Sequence, residues 1–185
     1  MIRAVTRVFL ENSTTSAVLR HQHEHLLHSQ LMPVQTSTPL PGTFTPLAYI
    51  FPPNVHILSL QLLNVPADDA TRQPTATQSP YILRLQHLYE VGEHPVYSQN
   101  VTVNVSSVFS NAGLVSTLTE MALTVSETLA AMQSRRLQWM TSDTPSRADS
   151  ARVDDPSQWP FLVTLAPRQI RTFVVNIGSA NLNAY

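Results

Sequence analysis

Hydrophobic and polar positions alternate with a period of two along most of this chain. That is the spacing of a strand with one face buried and one face wet. In "VHILSLQLL" (55–63) it places Leu58, Leu60 and Leu62 on one face. In "YILRLQHLYE" (81–90) the shared face carries Tyr81, Leu83, Leu85, His87 and Tyr89. "VTVNVSSVF" turns Val101, Val103 and Val105 inward and Asn100, Thr102, Asn104 and Ser106 outward. "LVSTLTEMALTV", "RRLQWM", "FLVTL" and "IRTFVVNI" continue the series as strands. A different period occurs only near the start. "TTSAVLRHQHEHLLHSQLM" runs without Gly or Pro up to Pro33, can be capped by Ser13 or Thr14, and sets Val18, Leu19, Gln22, Leu26 and Leu27 in an approximate helical stripe. Before it, "AVTRVFLE" reads as a short strand.

Stretches rich in Pro, Ser and Thr interrupt this pattern at Pro33–Pro53, Pro66–Pro80 and Thr141–Pro160, and they read as loops. The expectation is a mainly β chain: a β-sandwich-type domain of many short antiparallel strands with one N-terminal helix. Residues 1–50 form a strand–helix–loop segment packing on the β-domain of residues 51–185.

Composition narrows the function classes. The 185 residues carry a net charge of −1, so neither nucleic acid nor an anionic membrane is favoured as a partner. All 11 basic residues are Arg, a bias that points to no function. Only 12% of residues are charged, which suits either a surface that meets other protein or a neutral surface rich in Ser and Thr. There is no Cys, which excludes disulfides, thiolate metal sites and Cys nucleophiles. No apolar run approaches the roughly 18 residues of a membrane span. The opening "MIRAVTRVFLENS" is too polar to read as a signal peptide.

The densest chemistry is "HQHEHLLH" (21–28). On a helix His21, His25 and His28 share a face, and His21 with His25 could chelate one ion. His28 lies about 10.5 Å further along than His21 at 1.5 Å per residue, too far for bonds of about 2.0–2.1 Å to one zinc. The H-E-x-x-H pattern fails because Leu27 stands where the second His belongs. His56, His87 and His94 show no ligand spacing. The cluster therefore reads as a polar helix side facing solvent or an interface, and no metal ligand is assigned.

Paired acids occur at Asp68/Asp69, Asp154/Asp155 and Glu90/Glu93, all in or beside loops and without the setting of a hydrolytic pair. Four glycines leave no phosphate loop, and no G-x-S-x-G elbow exists. The residues alone assign no catalytic and no cofactor-binding position. N-glycosylation sequons start at Asn12, Asn100 and Asn104, the last two on the outward face of a strand.

The blocks "FPPNVHILSLQLL", "YILRLQHLYEVGE", "VTVNVSSVF", "TLTEMALT", "LQWM" and "LAPRQIRTFVVNI" follow one another as in a known family. "LRLQHLYEVGE" is similar to L-L-R-L-E-H-x-F-x-V-G-E, and "LAPRQIRTF" to L-x-P-M-E-I-R-T-F. Over residues 51–177 the chain resembles the C-terminal β-domain of lysosomal-type α-mannosidases, glycoside hydrolase family 38. The resemblance implies a piece of a retaining hydrolase that releases α-linked mannose. In that family the zinc ion, the aspartate nucleophile and the acid–base carboxylate lie upstream of the matched region. The D-R-R…D-D-x-R-G segment is also expected upstream of this sequence. The implied chain is inactive by itself, holds no cofactor, and has the catalytic part of the same enzyme as its partner. The implied address of the parent is lysosomal or secretory. Self-association through residues 1–30 is a further expectation, by pairing of the "AVTRVFLE" strand or through the helix. The second class considered is a lectin-like module presenting Tyr89, Tyr97, Trp139 or Trp159 to a sugar, with Trp159 in an exposed loop.

Overall fold

A computed structural model describes residues 8, 12–28, 47, 51–63, 78–111, 113–137 and 157–178. The alternating segments form two antiparallel sheets. The larger holds β1 (Val55–Leu62), β2 (Gln78–His87), β6 (Ile170–Gly178) and β4 (Val115–Met121), in the order β1-β2-β6-β4. The smaller pairs β3 (Val101–Asn104) with β5 (Leu162–Leu165). Among the described residues three helices accompany them: α1 (Ser13–His28), α2 (Val105–Val108) and α3 (Leu129–Ser134). The mainly β architecture expected from the alternation is present.

Both sheets turn apolar positions toward one cluster. Leu83 and Leu85 of β2, Leu118 of β4, and Phe173, Val175 and Ile177 of β6 meet Val103 of β3 and Val163 and Leu165 of β5 there. Burying each such side chain stabilises the fold by about 1.5–3 kcal/mol before entropy is counted. Gly113 lets β4 begin close against the end of β6. Its φ is 154°, and a Cβ there would lie 1.7 Å from the Gly178 carbonyl oxygen.

Two charged residues occupy inward positions of this alternation. Arg171 of β6 shares the core face with Phe173, and Glu120 of β4 is paired with Phe173 in register. Arg171 donates through Nε and Nη2 to the two Glu120 carboxylate oxygens at 3.0 and 2.7 Å. Its Nη1 donates to the Thr164 carbonyl of β5 at 2.8 Å. The side chains are 2% and 10% exposed, so the pair lies inside and ties β4 and β6 to the small sheet.

Several expectations need correction. "VTVNVSSVF" is a strand only to Asn104. The Asn104 side chain accepts from Ser106 N–H and caps α2, so the chain coils from Val105 while Val105 stays buried. Residues 129–134 are helical, with Thr128 as cap, and Arg135 to Leu137 at the start of the expected "RRLQWM" strand are exposed non-strand residues. The expected loop ending at Pro80 gives way to β2 already at Gln78. The described residues thus hold two short helices besides the N-terminal one. In β1 a register shift between Ile57 and Ser59 breaks the simple alternation. Leu60 and Leu62 pair with Leu83 and Tyr81, yet Leu58, Leu60 and Leu62 are 47%, 41% and 54% exposed on β1, which among the described residues is an edge of the sheet. Helix α1 is capped by Asn12, whose Oδ1 accepts from Thr15 N–H at 2.9 Å, in place of Ser13 or Thr14. The "AVTRVFLE" strand lies outside the described residues except Val8.

Removing one member of the buried pair leaves a charge in the core. Glu120→Ala is expected to cost about 3–5 kcal/mol in urea unfolding. Arg171→Met combined with Glu120→Leu is expected to recover most of that loss. Equal destabilisation in the single and double variants would show that packing, not charge, sets the cost.

Candidate functional site

The structure gathers chemistry where α1 meets the end of β2. The turn after β2, "EVGEH", depends on Gly92, whose φ of 78° an L side chain rarely adopts. The turn folds Glu93 back so that its Oε2 accepts from Glu90 N–H at 2.8 Å. The other oxygen, Oε1, receives Arg20 of α1 and lies 3.2 Å from His21 Nε2. His21 stacks on Tyr89, ring centroids 4.5 Å apart. Tyr97 and His94 extend the aromatic cluster, stacked at 4.5 Å. The Tyr97 and Val96 N–H groups both donate to His94 Nδ1 at 3.1 Å, so His94 acts as an acceptor that shapes the loop.

Thus His21 is an interface residue and is 6% exposed. The docking face of α1 runs through Ala17 and His21, while Val18 and Leu19 are only half-buried. A buried His on a polar helix was missed because its partner Glu93 is 72 residues away in sequence. The side chains of His25, Leu26, Leu27 and His28 lie outside the described residues, so the His21/His25 pair is not seen together. His23 is half-buried. Zinc does not fit what is described: among the described residues no group of three or more His, Asp or Glu could hold a metal ion.

The other histidines are separate. His87 is wholly buried, and its Nε2 lies 3.0 Å from the Gln99 carbonyl and 3.3 Å from the Asn54 amide. His56 lines a cleft beside α1 with His21, Glu24, Leu58, Gln86, Leu88 and Arg168, about 220 Å³ in volume. Among the paired acids, Glu90 bonds Arg168 at 2.8 Å on the surface and Glu93 holds α1. Asp68, Asp69, Asp154, Asp155 and Trp139 lie outside the described residues. Of the aromatics, Tyr89 is buried, Tyr97 half-buried, and Trp159 is 77% exposed as expected. Asn100 is exposed; Asn12 and Asn104 use their side-chain oxygens as helix caps, and Asn104 is half-buried where the alternation turned it outward.

With this geometry in place, the known proteins similar to the chain can be compared. Over 156 residues, 76% of its length, it is 34% identical to the epididymis-specific alpha-mannosidase of Homo sapiens. Over 182 residues, 91% of its length, it is 28% identical to the lysosomal alpha-mannosidase of Mus musculus. It is 33% identical over 98 residues to the lysosomal alpha-mannosidase of Dictyostelium discoideum. Its relatives are α-mannosidases. The chain spans only 15%, 16% and 9% of the length of these three. No family model matches it. The resemblance to α-mannosidases read from the sequence is thus supported at modest identity and over a small part of each α-mannosidase chain.

The docking of α1 carries a pH dependence. Burial pushes the His21 imidazole below its ordinary value of 6.5, and Arg20 adds to this, against the opposing pull of Glu93 and Glu24. Burial pushes the Glu93 carboxyl up, but the Glu90 N–H, Arg20 and His21 outweigh it and hold the group below 4.5. Both groups bind fewer protons folded than unfolded, so both favour the docked state at higher pH. The His21 contribution is full above 6.5 and is lost as pH falls through the lowered value. The Glu93 contribution is full above 4.5 and is lost on further acidification. Hydrogen exchange of α1 amides is expected to quicken relative to β2 as pH is lowered, after correction for intrinsic rates. His21→Gln is expected to remove the upper part of that profile. A flat corrected profile in the unaltered protein would show that His21 does not govern the docking.

Proposed function

We propose that this chain is a structural, non-catalytic β-domain of an α-mannosidase, the C-terminal part of a glycoside hydrolase family 38 enzyme. The parent hydrolyses terminal α-mannose from glycans with a zinc ion held in its catalytic part. This chain packs against that part and completes it. The observation that carries the reading is the run of blocks over residues 51–177. Its two most specific pieces, "LRLQHLYEVGE" and "LAPRQIRTF", fold beside each other as β2 and β6. The names of the relatives support lysosomal or secretory placement of the parent. No step of hydrolysis is assigned to residues of this chain.

The purified chain is expected to release no product from an aryl α-mannoside, with or without added zinc. Zinc-dependent turnover would sink the reading.

We also propose that the isolated chain self-associates; the route expected through residues 1–30 lies partly outside the described residues, and among those described β1 offers a second one. Edge strand β1 presents Leu58, Leu60 and Leu62, and few charges blunt it. Light scattering over a concentration series is expected to show mass rising above 20.5 kDa. Leu60→Lys should shift the series toward monomer. A strictly monomeric species at high concentration would overturn this expectation.

A further inference from the structure

The three sequons at Asn12, Asn100 and Asn104 look alike in the sequence, but the fold uses their side chains differently. We propose that Asn100 is the one that carries an N-linked glycan in the folded protein, and that Asn104 is closed to one. The inference rests on the secretory placement proposed for the parent.

Asn100 stands on a firm support with its own side chain unused. The loop before it is tied at several points. Asn54 Nδ2 donates to the Tyr97 carbonyl at 3.1 Å, His94 N–H donates to Ser98 Oγ at 2.9 Å, and the Gln99 carbonyl lies 3.0 Å from His87 Nε2. Asn100 follows directly and leads into β3. It is exposed, and among the described residues its side chain makes no hydrogen bond. The strand alternation keeps this sequon on the outer face. Val103 is buried and Val101 half-buried, while Thr102 is exposed with its Oγ1 2.9 Å from Thr164 Oγ1. A bulky, hydrated group needs such a surface position. Attached at Asn100 it breaks none of the bonds described here.

Asn104 lies further along the same face but is engaged. Its Oδ1 accepts from Ser106 N–H at 3.1 Å and so caps α2. Ser106 Oγ, the hydroxyl of that sequon, lies 2.6 Å from Asn104 Oδ1 and 3.0 Å from the Pro160 carbonyl. Asn104 is half-buried and Val105 is buried. A glycan there competes with the cap and with the chain around Pro160. Asn12 also commits its Oδ1 to a helix start, accepting from Thr15 N–H at 2.9 Å.

The modification is a group transfer carried out by the transferase of the secretory pathway. Asn100 Nδ2 forms a bond to the anomeric carbon of a lipid-diphosphate-linked oligosaccharide. The bond from that carbon to the diphosphate oxygen breaks, the amide gives up one proton, and the lipid diphosphate leaves. A glycan so placed keeps the outer face of β3 in water, so the catalytic part of the parent packs elsewhere on the domain.

The test is expression of the full chain behind a secretion leader in a eukaryotic cell. Enzymatic release of the glycan converts each modified Asn to Asp, and peptide mass spectrometry then reads each sequon separately. The expected result is Asn100 modified and Asn104 unmodified. Asn100→Gln should abolish the glycan and leave the melting temperature of glycan-free protein within about 1–2 °C, as for an ordinary surface change. Thr102→Ala keeps Asn100 but removes the sequon hydroxyl, and it should also abolish the glycan. Asn104→Ala should leave glycosylation unchanged and lower the melting temperature by about 2–4 °C through loss of the cap. An unmodified Asn100, or modification of Asn12 or Asn104 in its place, would overturn the proposal. An Asn104→Ala variant as stable as the unaltered chain would overturn the closure of Asn104. Because the leader supplies import, an unmodified Asn100 there counts against the site and not against the placement of the parent. That placement is tested by recovering the same peptide from the source cells. An Asn100 modified behind the leader but not in the natural protein would refute the secretory placement, and the proposal would fall with it.

Discussion

The Arg171–Glu120 pair fixes how the strands of this domain are set against one another. Desolvating two charges is costly, and their mutual attraction in the interior does little more than offset it. The apolar cluster supplies the net stabilisation. The pair supplies a condition that the cluster lacks. A slip of β4 by two residues against β6 would keep apolar side chains inward. It would place Leu118 or Ala122 beside the guanidinium and leave Arg171 buried without a counter-charge. Only the observed register gives both carboxylate oxygens to Arg171. The third donor, to the Thr164 carbonyl, extends the same condition to the second sheet.

This accounts for why much of the fold was legible. In β2, β4 and β6 the alternation of apolar residues names the core face directly, and Leu83, Leu85, Leu118, Phe173 and Val175 lie where it places them. Arg171 and Glu120 fall on inward positions of the same alternation in neighbouring strands. Two opposite charges at such positions were a readable sign of a buried pair, although the strand reading passed over them. What alternation could not show is where a strand stops. At Val105 a capping Asn104 ends β3 while the next valine remains buried, so the apolar period continues across a change from strand to helix. At Leu58 the bulge changes which residues face inward without changing composition.

The candidate site was less legible because it is made of distant pieces. The sequence shows "HQHEHLLH" as a dense cluster, but its structural partner is Glu93 on a turn that Gly92 permits. Metal geometry was the natural question to put to four histidines on a helix. His21, the buried one, serves instead as a flat, half-apolar surface against Tyr89, with a carboxylate at its edge. A short polar side chain in place of His21 could not do both.

The two blocks that most resemble α-mannosidases form a single physical unit. Leu83 to Gln86 pair with Phe173 to Ile170 along the strands. Beyond the strand ends His87 N–H bonds the Gln169 carbonyl, Arg168 N–H bonds the Tyr89 carbonyl, and Glu90 meets the Arg168 side chain. The faces of this unit differ in what they have left to offer. On the core face Arg171 donates from all three guanidinium nitrogens, and Leu83, Leu85 and Phe173 are fully packed. On the other face Gln86 is half-buried and Arg168 is more than half exposed beside α1. A residue satisfied inside the fold can only hold it together. On that outer face Arg168 is already held by Glu90, and Gln86 lines the cleft beside α1, so what this face still offers depends on α1 staying docked through Glu93.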